Sequence, residues 1–391
     1  MDNLTDSLTV AEYFAGIGLV RMGLESWGWR VIFANDISDK KYEMYKVFFS
    51  DADQHYILSD IFDIDVANVP QTLLATCSFP CVDLSIAGKM DGIGGKHSSA
   101  FWGFINILKM QDTCAPSMIL VENVPGWLYS NNGEDFRLTV EALNTLGYAC
   151  DVFTLDALHF TPQSRLRVFL IGTKFPMPPY NIFLTCQRSR ALLTSHLKKS
   201  LIANQNLRWF NTLLPEPPPL KKDGLSMLIE AMDETDPRWW TEEEVQRHFK
   251  MMNTAHHQMV TRLINNSHIT YRTFYRRIRE GQQRAEVRHD DIAGCLRTAI
   301  GGSGKQFVLK AGNGKLKMRT LTAREYARLQ GVPDTYPITV NGVQALTGFG
   351  DAVCVPVIQW IAEHALHPLI NKYLSKINSP QGNINDGQPY S

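Results

Sequence analysis

Leu73-Leu74-Ala75-Thr76, then Cys77 and Ser78-Phe79-Pro80-Cys81, reads as a short buried strand that breaks at a proline and ends on a thiol. Further on, Met118-Ile119-Leu120-Val121 repeats the pattern and leads into Glu122-Asn123-Val124. A short apolar run bounded by turn residues is the mark of a strand buried on both faces. Open α/β sheets bind ligands outside the carboxyl ends of such strands. Two neighbouring strand ends therefore offer a thiol and a carboxylate to one crevice. That pairing suits covalent chemistry on a ring that is protonated as it is attacked. A lone Cys is more often a small buried hydrophobe, so the surrounding motifs have to decide.

The same alternation continues on either side. Leu8-Thr9-Val10 to Phe14, Val31-Ile32-Phe33-Ala34, the run 149–155 and the run 168–171 read as further strands. Helix candidates lie near 19–27, 39–49, 100–110 and 134–146. This order over residues 8–172 predicts an α/β fold, a mostly parallel sheet with helices on both faces. The Pro-rich stretch 174–180 reads as a linker. From 181 to 318 the alternation is lost. A Pro-rich turn at 214–219 leads to an acidic, helical stretch around 226–253, and a basic stretch follows. A helix-like pattern returns at 319–331, and 351–366 looks amphipathic. Residues 375–391 are polar and rich in Gly, Asn and Pro, which predicts a disordered tail.

A chain of 391 residues fits two domains. Its formal net charge is zero, so total charge does not point to nucleic acid, but the distribution does. Between Met251 and Lys310 stand Arg262, Arg272, Arg276, Arg277, Arg279, Arg284, Arg288, Arg297, Lys305 and Lys310, opposed only by Glu280, Glu286, Asp290 and Asp291. The seven Cys are scattered, with no Cys-x-x-Cys. This argues against a disulfide framework and against a zinc site. With no signal pattern and no long uninterrupted apolar run, the expectation is a soluble cytoplasmic protein with reduced thiols, without metal or membrane.

Phe14-Ala15-Gly16-Ile17-Gly18 follows the first strand and opens a helix, where glycines allow close backbone approach to a ligand. Asp36, after the second strand, sits where an acid bonds a ribose hydroxyl. Asp60-Ile61 is read as a further strand end, where an acid could meet an adenine amino group. Either Asp alone is as good a helix cap. Together with the Gly loop they describe a nucleoside-binding crevice.

Taken in order, these pieces resemble a DNA (cytosine-5) methyltransferase of bacterial or phage type. The resemblance rests on Phe14–Gly18, Asp36, Asp60, Pro80-Cys81, Glu122-Asn123-Val124, Gln163-Ser164-Arg165-Leu166-Arg167, Arg319-Thr320-Leu321-Thr322-Ala323-Arg324-Glu325, Leu329-Gln330-Gly331 and Gly350-Asp351-Ala352-Val353. It implies a Rossmann-like, S-adenosylmethionine-dependent fold with a smaller target-recognition domain. The catalytic domain would span 1–175, completed by a C-terminal helix at 351–370. Residues 176–340 would read DNA. The implied reaction is methyl transfer to C5 of a flipped-out cytosine in a specific duplex sequence, leaving S-adenosyl-L-homocysteine, in a restriction-modification setting. The protein would be a monomer, with a restriction endonuclease as partner in the system rather than in a complex.

The resemblance assigns Cys81 as nucleophile, Glu122 to N3 and the amino group of the base, and Arg165 to its carbonyl. Arg167 and Gln163 would organise the site, and Asn123 would shape the Pro80-Cys81 turn. It assigns the cofactor wall to Phe14, Ala15, Gly16, Gly18, Asp36, Ile37, Asp60, Ile61, Pro80, Ala100, Asp351 and Ala352. DNA contacts would come from Ser85 and Lys89 in a Gly-rich loop, and from Arg272, Arg276 and Arg297. Two departures stand out. Asp351 replaces the usual Asn of Gly-Asn-Ala, and Val82 follows Pro-Cys where Gln is common. Nor is there a strong match to the family's Thr-Leu element in the recognition domain. Rival readings are a tRNA cytosine-5 methyltransferase, a non-catalytic DNA-binding protein on this scaffold, and a dinucleotide oxidoreductase. The size and basic character of the region after residue 181 favour DNA over tRNA. The intact Cys81, Glu122 and Arg165 disfavour the second, and the incomplete Gly fingerprint the third.

Overall fold

A computed structural model describes residues 8–80, 100–178, 180, 182–298 and 304–378. The N-terminal part supplies β1 (Thr9–Tyr13), β2 (Arg30–Asp36), β3 (Tyr56–Leu58), β4 (Leu74–Cys77), β5 (Met118–Asn123), β6 (Ala149–Asp156) and β7 (Leu166–Thr173). They form one seven-stranded sheet in the order β3-β2-β1-β4-β5-β7-β6. β1 to β5 pair in parallel, and β7 runs antiparallel to both β5 and β6. The chain leaves β1 to one side for β2 and β3, then returns to lay β4 on the other side. The crevice outside the carboxyl ends of β1 and β4 is thus a topological switch point.

Every residue of β4 and β5 is buried, because successive side chains enter opposite cores. Leu74, Met118 and Leu120 face one cluster with Ile358, Ile361 and Leu366. Ala75, Ile119 and Val121 face the other, with Phe101 and Phe104 of helix Ala100–Gln111. That double burial is why these strands read as unbroken apolar runs. β3 escaped that reading: it has three residues, and Ile57 and Leu58 are exposed.

At the C-terminus the helix expected from residue 351 begins only at Val355, behind a helix that the sequence did not announce. Helix Gly342–Asp351 stops, and Val355–Ile361 begins with Pro356 in its first turn, a position where proline's missing N–H costs nothing. A π-helical turn, Ala362–Leu366, carries it into His367–Asn378. Pro368 falls in the first turn of that last helix, directly after the π turn, and from Leu369 onward neither Gly nor Pro interrupts it, so it reaches into the stretch expected as tail; residues 379–391 lie outside the described residues. The run Gly342–Tyr373 is long and apolar enough to cross a bilayer, but 72% of its most apolar window is buried in the protein. It is core.

The basic stretch folds as β8 (Thr270–Arg279), β9 (Gln282–Val287), β10 (Phe307–Gly312) and β11 (Lys315–Thr320), an antiparallel sheet in the order β11-β10-β8-β9. Helices Glu242–Lys250 and Thr254–Ile264 share its core, where Val245 and Val260 join Phe274, Phe307 and Met318. The first of these opens with a Thr241/Glu244 capping box and an acidic first turn. A further apolar cluster joins the two sheets, with Ile17, Leu19 and Met44 against Leu296, Val308, Tyr326 and Phe349.

Candidate active site

The turn after β1 places Phe14 at φ 58°, Gly16 at φ 56° and Gly18 at φ 77°. Only Gly takes such angles freely, so Phe14 is held there by its surroundings. A side chain at Gly18 would also stand 2.4 Å from Phe49. Asp36 at the end of β2 locks the turn: its Oδ2 accepts from Gly16 N–H and its Oδ1 from Ser38 N–H, each at 2.9 Å. A carboxylate retains further lone pairs for a ligand. Asp60 caps the short helix Ile61–Asp63, accepting from Phe62 N–H at 3.1 Å.

Phe14, Ala15, Gly16, Asp36, Ile37, Asp60, Ile61, Pro80, Ala100, Asp351 and Ala352 all line one cavity of about 550 Å³. Of the expected wall, only Gly18 does not; it packs against Tyr45 and Phe49 instead. Ile37 and Phe62, 68% and 58% exposed, are apolar side chains at this cavity with no core to enter. Asp351 is balanced by a residue the sequence motifs did not announce: Lys41 Nζ lies 3.1 Å from its Oδ2, and Thr298 Oγ1 donates to its Oδ1 at 2.7 Å. Lys41 and Thr298 are distant in sequence from Asp351, and no local pattern marks either of them.

Glu122 and Arg167 line the same cavity, and β1 and β4 stand between β5, which carries Glu122, and β2, which carries Asp36. Arg167 Nε stands 3.0 Å from Glu122 Oε1, with both side chains nearly enclosed. Arg165 does not line the cavity. It is 3% exposed, and its Nη1 donates to the Leu296 carbonyl at 2.8 Å while Nη2 donates to those of Ala352 at 2.7 Å and Gly350 at 3.2 Å. Main-chain carbonyls thus engage both terminal nitrogens of Arg165, its buried Nε has no hydrogen-bond partner among the described residues, and Arg167 is the guanidinium that stands beside Glu122. Burial, with the Arg167 charge, lowers Arg165 from its ordinary value. Gln163, fully buried, donates to Leu329 O and accepts from Leu296 N–H. Asn123 donates to Phe79 O at 3.2 Å and so holds the turn before Pro80. Cys81, Val82, Ser85 and Lys89 lie outside the described residues.

The expected DNA-contacting arginines divide. Arg297 is exposed. Arg272 donates to Tyr271 O and lies 3.6 Å from Asp291, and the Arg276 guanidinium sits 5.1 Å over the Phe307 ring. Both are engaged within the protein. The register of β8 on β9 sets Arg277 opposite Arg284 and Arg279 opposite Gln282. Glu286 is the carboxylate that Arg279 and Arg277 share, at 3.0 Å and 3.6 Å.

A seven-stranded sheet with this switch point, and a cavity walled by a Gly turn and strand-end acids, defines the class of S-adenosylmethionine-dependent methyltransferase folds. Within it, the chain belongs to the C-5 cytosine-specific DNA methylase family, whose model matches residues 8–367. It is 28% identical to the type II methyltransferase M.HaeII of Haemophilus aegyptius over 92% of each chain. It is 26% identical to M.NgoBI of Neisseria gonorrhoeae, over 89% of this chain and 90% of that one. The solved structure of the Entamoeba histolytica methyltransferase EhMeth superposes with a TM-score of 0.61 at 13% identity, over 93% of this chain and 99% of that one.

Proposed function

We propose that this chain methylates C5 of a cytosine within a specific double-stranded DNA sequence, as the modification enzyme of a restriction-modification system. The observation that carries the reading is the single cavity lined both by Asp36 and Asp60 and by the Glu122–Arg167 pair. Its volume is that of a small-molecule site. The free acceptor capacity of Asp36, the Asp60 carboxylate and the bare faces of Ile37 and Phe62 fit the ribose and adenine of S-adenosylmethionine. When bound, that molecule supplies an electrophilic methyl group.

Pro80 lines the cavity, and Cys81 is the next residue. Attack of its thiolate on C6 forms the S–C6 bond and makes C5 an enamine carbon able to take the methyl. Glu122 bonds N3 and the amino group, and Arg167 the carbonyl, so that charge developing on the ring meets fixed partners. Loss of the C5 proton then restores the double bond and expels Cys81. The target carbon is out of reach in a stacked duplex, so the base is flipped out at a cost of a few kcal/mol. Residues 1–175 with 351–370 act as the catalytic unit and 176–340 as the reading unit. In the latter, Arg297 and the Arg277, Arg279, Arg284 face of the β8–β9 hairpin are our candidates for phosphate binding. Bisulfite sequencing of DNA from a bacterial host expressing the chain tests this. Protection of one cytosine in one recurrent sequence is expected; no protected cytosine contradicts the reading.

A further inference from the structure

Arg165 and Arg167 stand two residues apart where β7 begins, so their side chains leave the chain on the same side. Among the described residues only Arg167 has a carboxylate partner, Glu122, and the oxygens that accept from the Arg165 guanidinium are neutral carbonyls. Two cations thus share one carboxylate in a largely enclosed region, where like charges repel more strongly than in water.

The Sγ of Cys295 lies 3.6 Å from Arg165 Nη1, and 3.9 Å from both Nη1 and Nη2 of Arg167. It sits on the segment between β9 and β10, and the carbonyl of the next residue, Leu296, takes a hydrogen bond from Arg165 and, when the sulfur is protonated, one from the Cys295 thiol at 3.3 Å. Burial raises this thiol. The Arg167 and Arg165 charges, a hydrogen bond from Arg167 and the charge of Arg297 outweigh that, so the net direction is downward. Among the described residues the other titratable group facing it is the Tyr326 phenol, pushed up to about 12, mainly by burial, and so neutral.

We propose that Cys295 is a positioning residue: its sulfur is the shared acceptor and counter-charge that holds the two guanidiniums side by side and keeps Arg167 turned to Glu122. Arg167 is then held at Nε by the carboxylate, at Nη1 by the Leu166 carbonyl at 2.8 Å, and at both Nη atoms, more loosely, by the sulfur at 3.9 Å. The geometry stands by itself; the consequence for methyl transfer rests on the reaction proposed above. A neutral sulfur would leave the pair under-compensated and Arg167 less well aimed. As pH falls through the Cys295 titration, the sulfur takes up a proton and the clamp weakens, so turnover acquires an acid limb.

Two variants separate charge from shape. Cys295→Ser keeps the size without the charge, and Cys295→Asp keeps a charge in a similar volume. The thiolate absorbance of the wild type is titrated in the far ultraviolet against whichever variant retains the wild-type circular dichroism. The expected difference has its midpoint below the ordinary cysteine value of about 8.5. Cys295→Ser should lose on the order of tenfold to a hundredfold in kcat, with KM for DNA little changed, and its acid limb should change from the wild type's to the one that Cys81 alone imposes. Cys295→Asp should recover part of kcat. A midpoint at or above the ordinary value, or a Cys295→Ser enzyme with wild-type kcat and pH profile, overturns the proposal. If the wild type transfers no methyl to DNA, the reaction has been misread, and the titration still decides the charge on Cys295.

Discussion

At the scale of single residues, the two arginines of the Gln163–Arg167 stretch do different work. Arg165 stitches β7 to the segments at 296 and 350–352 through buried carbonyls. Removing it takes a charged donor from all three and leaves the Gly350 carbonyl without one among the described residues, while Ala352 keeps Gln330 and Leu296 the Cys295 thiol, at about 1–3 kcal/mol for an acceptor left unpaired. Arg165→Ala should therefore lower the denaturant midpoint by an amount equivalent to a few kcal/mol. Arg167→Lys keeps a charge beside Glu122 but loses the planar fork. It should unfold near the wild-type midpoint and lose about a hundredfold or more in kcat. Denaturation curves and initial rates on the same two proteins check both expectations, and equal stability loss in the two variants would contradict the division. The sequence could not make it, because residues two apart share a side of the strand and differ only in long-range partners.

At the scale of elements, burial explains both what was legible and what was not. β4 and β5 were readable because both faces are covered. β8 was not: Thr270–Arg279 carries four arginines among its aromatics, which read as a charge run rather than as a strand. Parity along β8 then separated inward Arg276 from Arg277 and Arg279. β1 holds a hidden titratable group of its own. Glu12 is enclosed, and burial pushes its carboxyl from the ordinary 4.5 up to about 8, with Arg21 pulling it partly back. Between those two values the folded state keeps a proton that the unfolded chain has released. Stability should thus fall as pH rises through that window, by at most about 1.4 kcal/mol per pH unit from this group, and level off above it. Glu12→Gln should flatten that slope in urea titrations from pH 5 to 8; an unchanged slope would assign it to other groups.

At the scale of the whole molecule, the cavity takes its walls from strand ends of the parallel sheet, from Thr298 and from the turn at Asp351. The ordered motifs gave nearly all of that wall. They missed Lys41, Thr298 and Cys295, whose roles exist only once distant segments meet. The second sheet is where DNA should be read, and its grip on phosphates should be salt-dependent. Replacing Arg277, Arg279 and Arg284 together by Ala should lower the slope of log affinity against log salt by about 0.9 for each phosphate no longer neutralised. Replacing Arg272, held against Asp291, should leave that slope alone and cost stability instead. Gel shifts across a salt series decide between them. The most direct test of the central claim is covalent trapping on a duplex carrying 5-fluorocytosine at the target, where the C5 proton cannot leave. With S-adenosylmethionine present, the wild type should form a denaturation-resistant protein–DNA adduct and Cys81→Ser none. No adduct from the wild type, or an equal adduct from Cys81→Ser, would contradict the account.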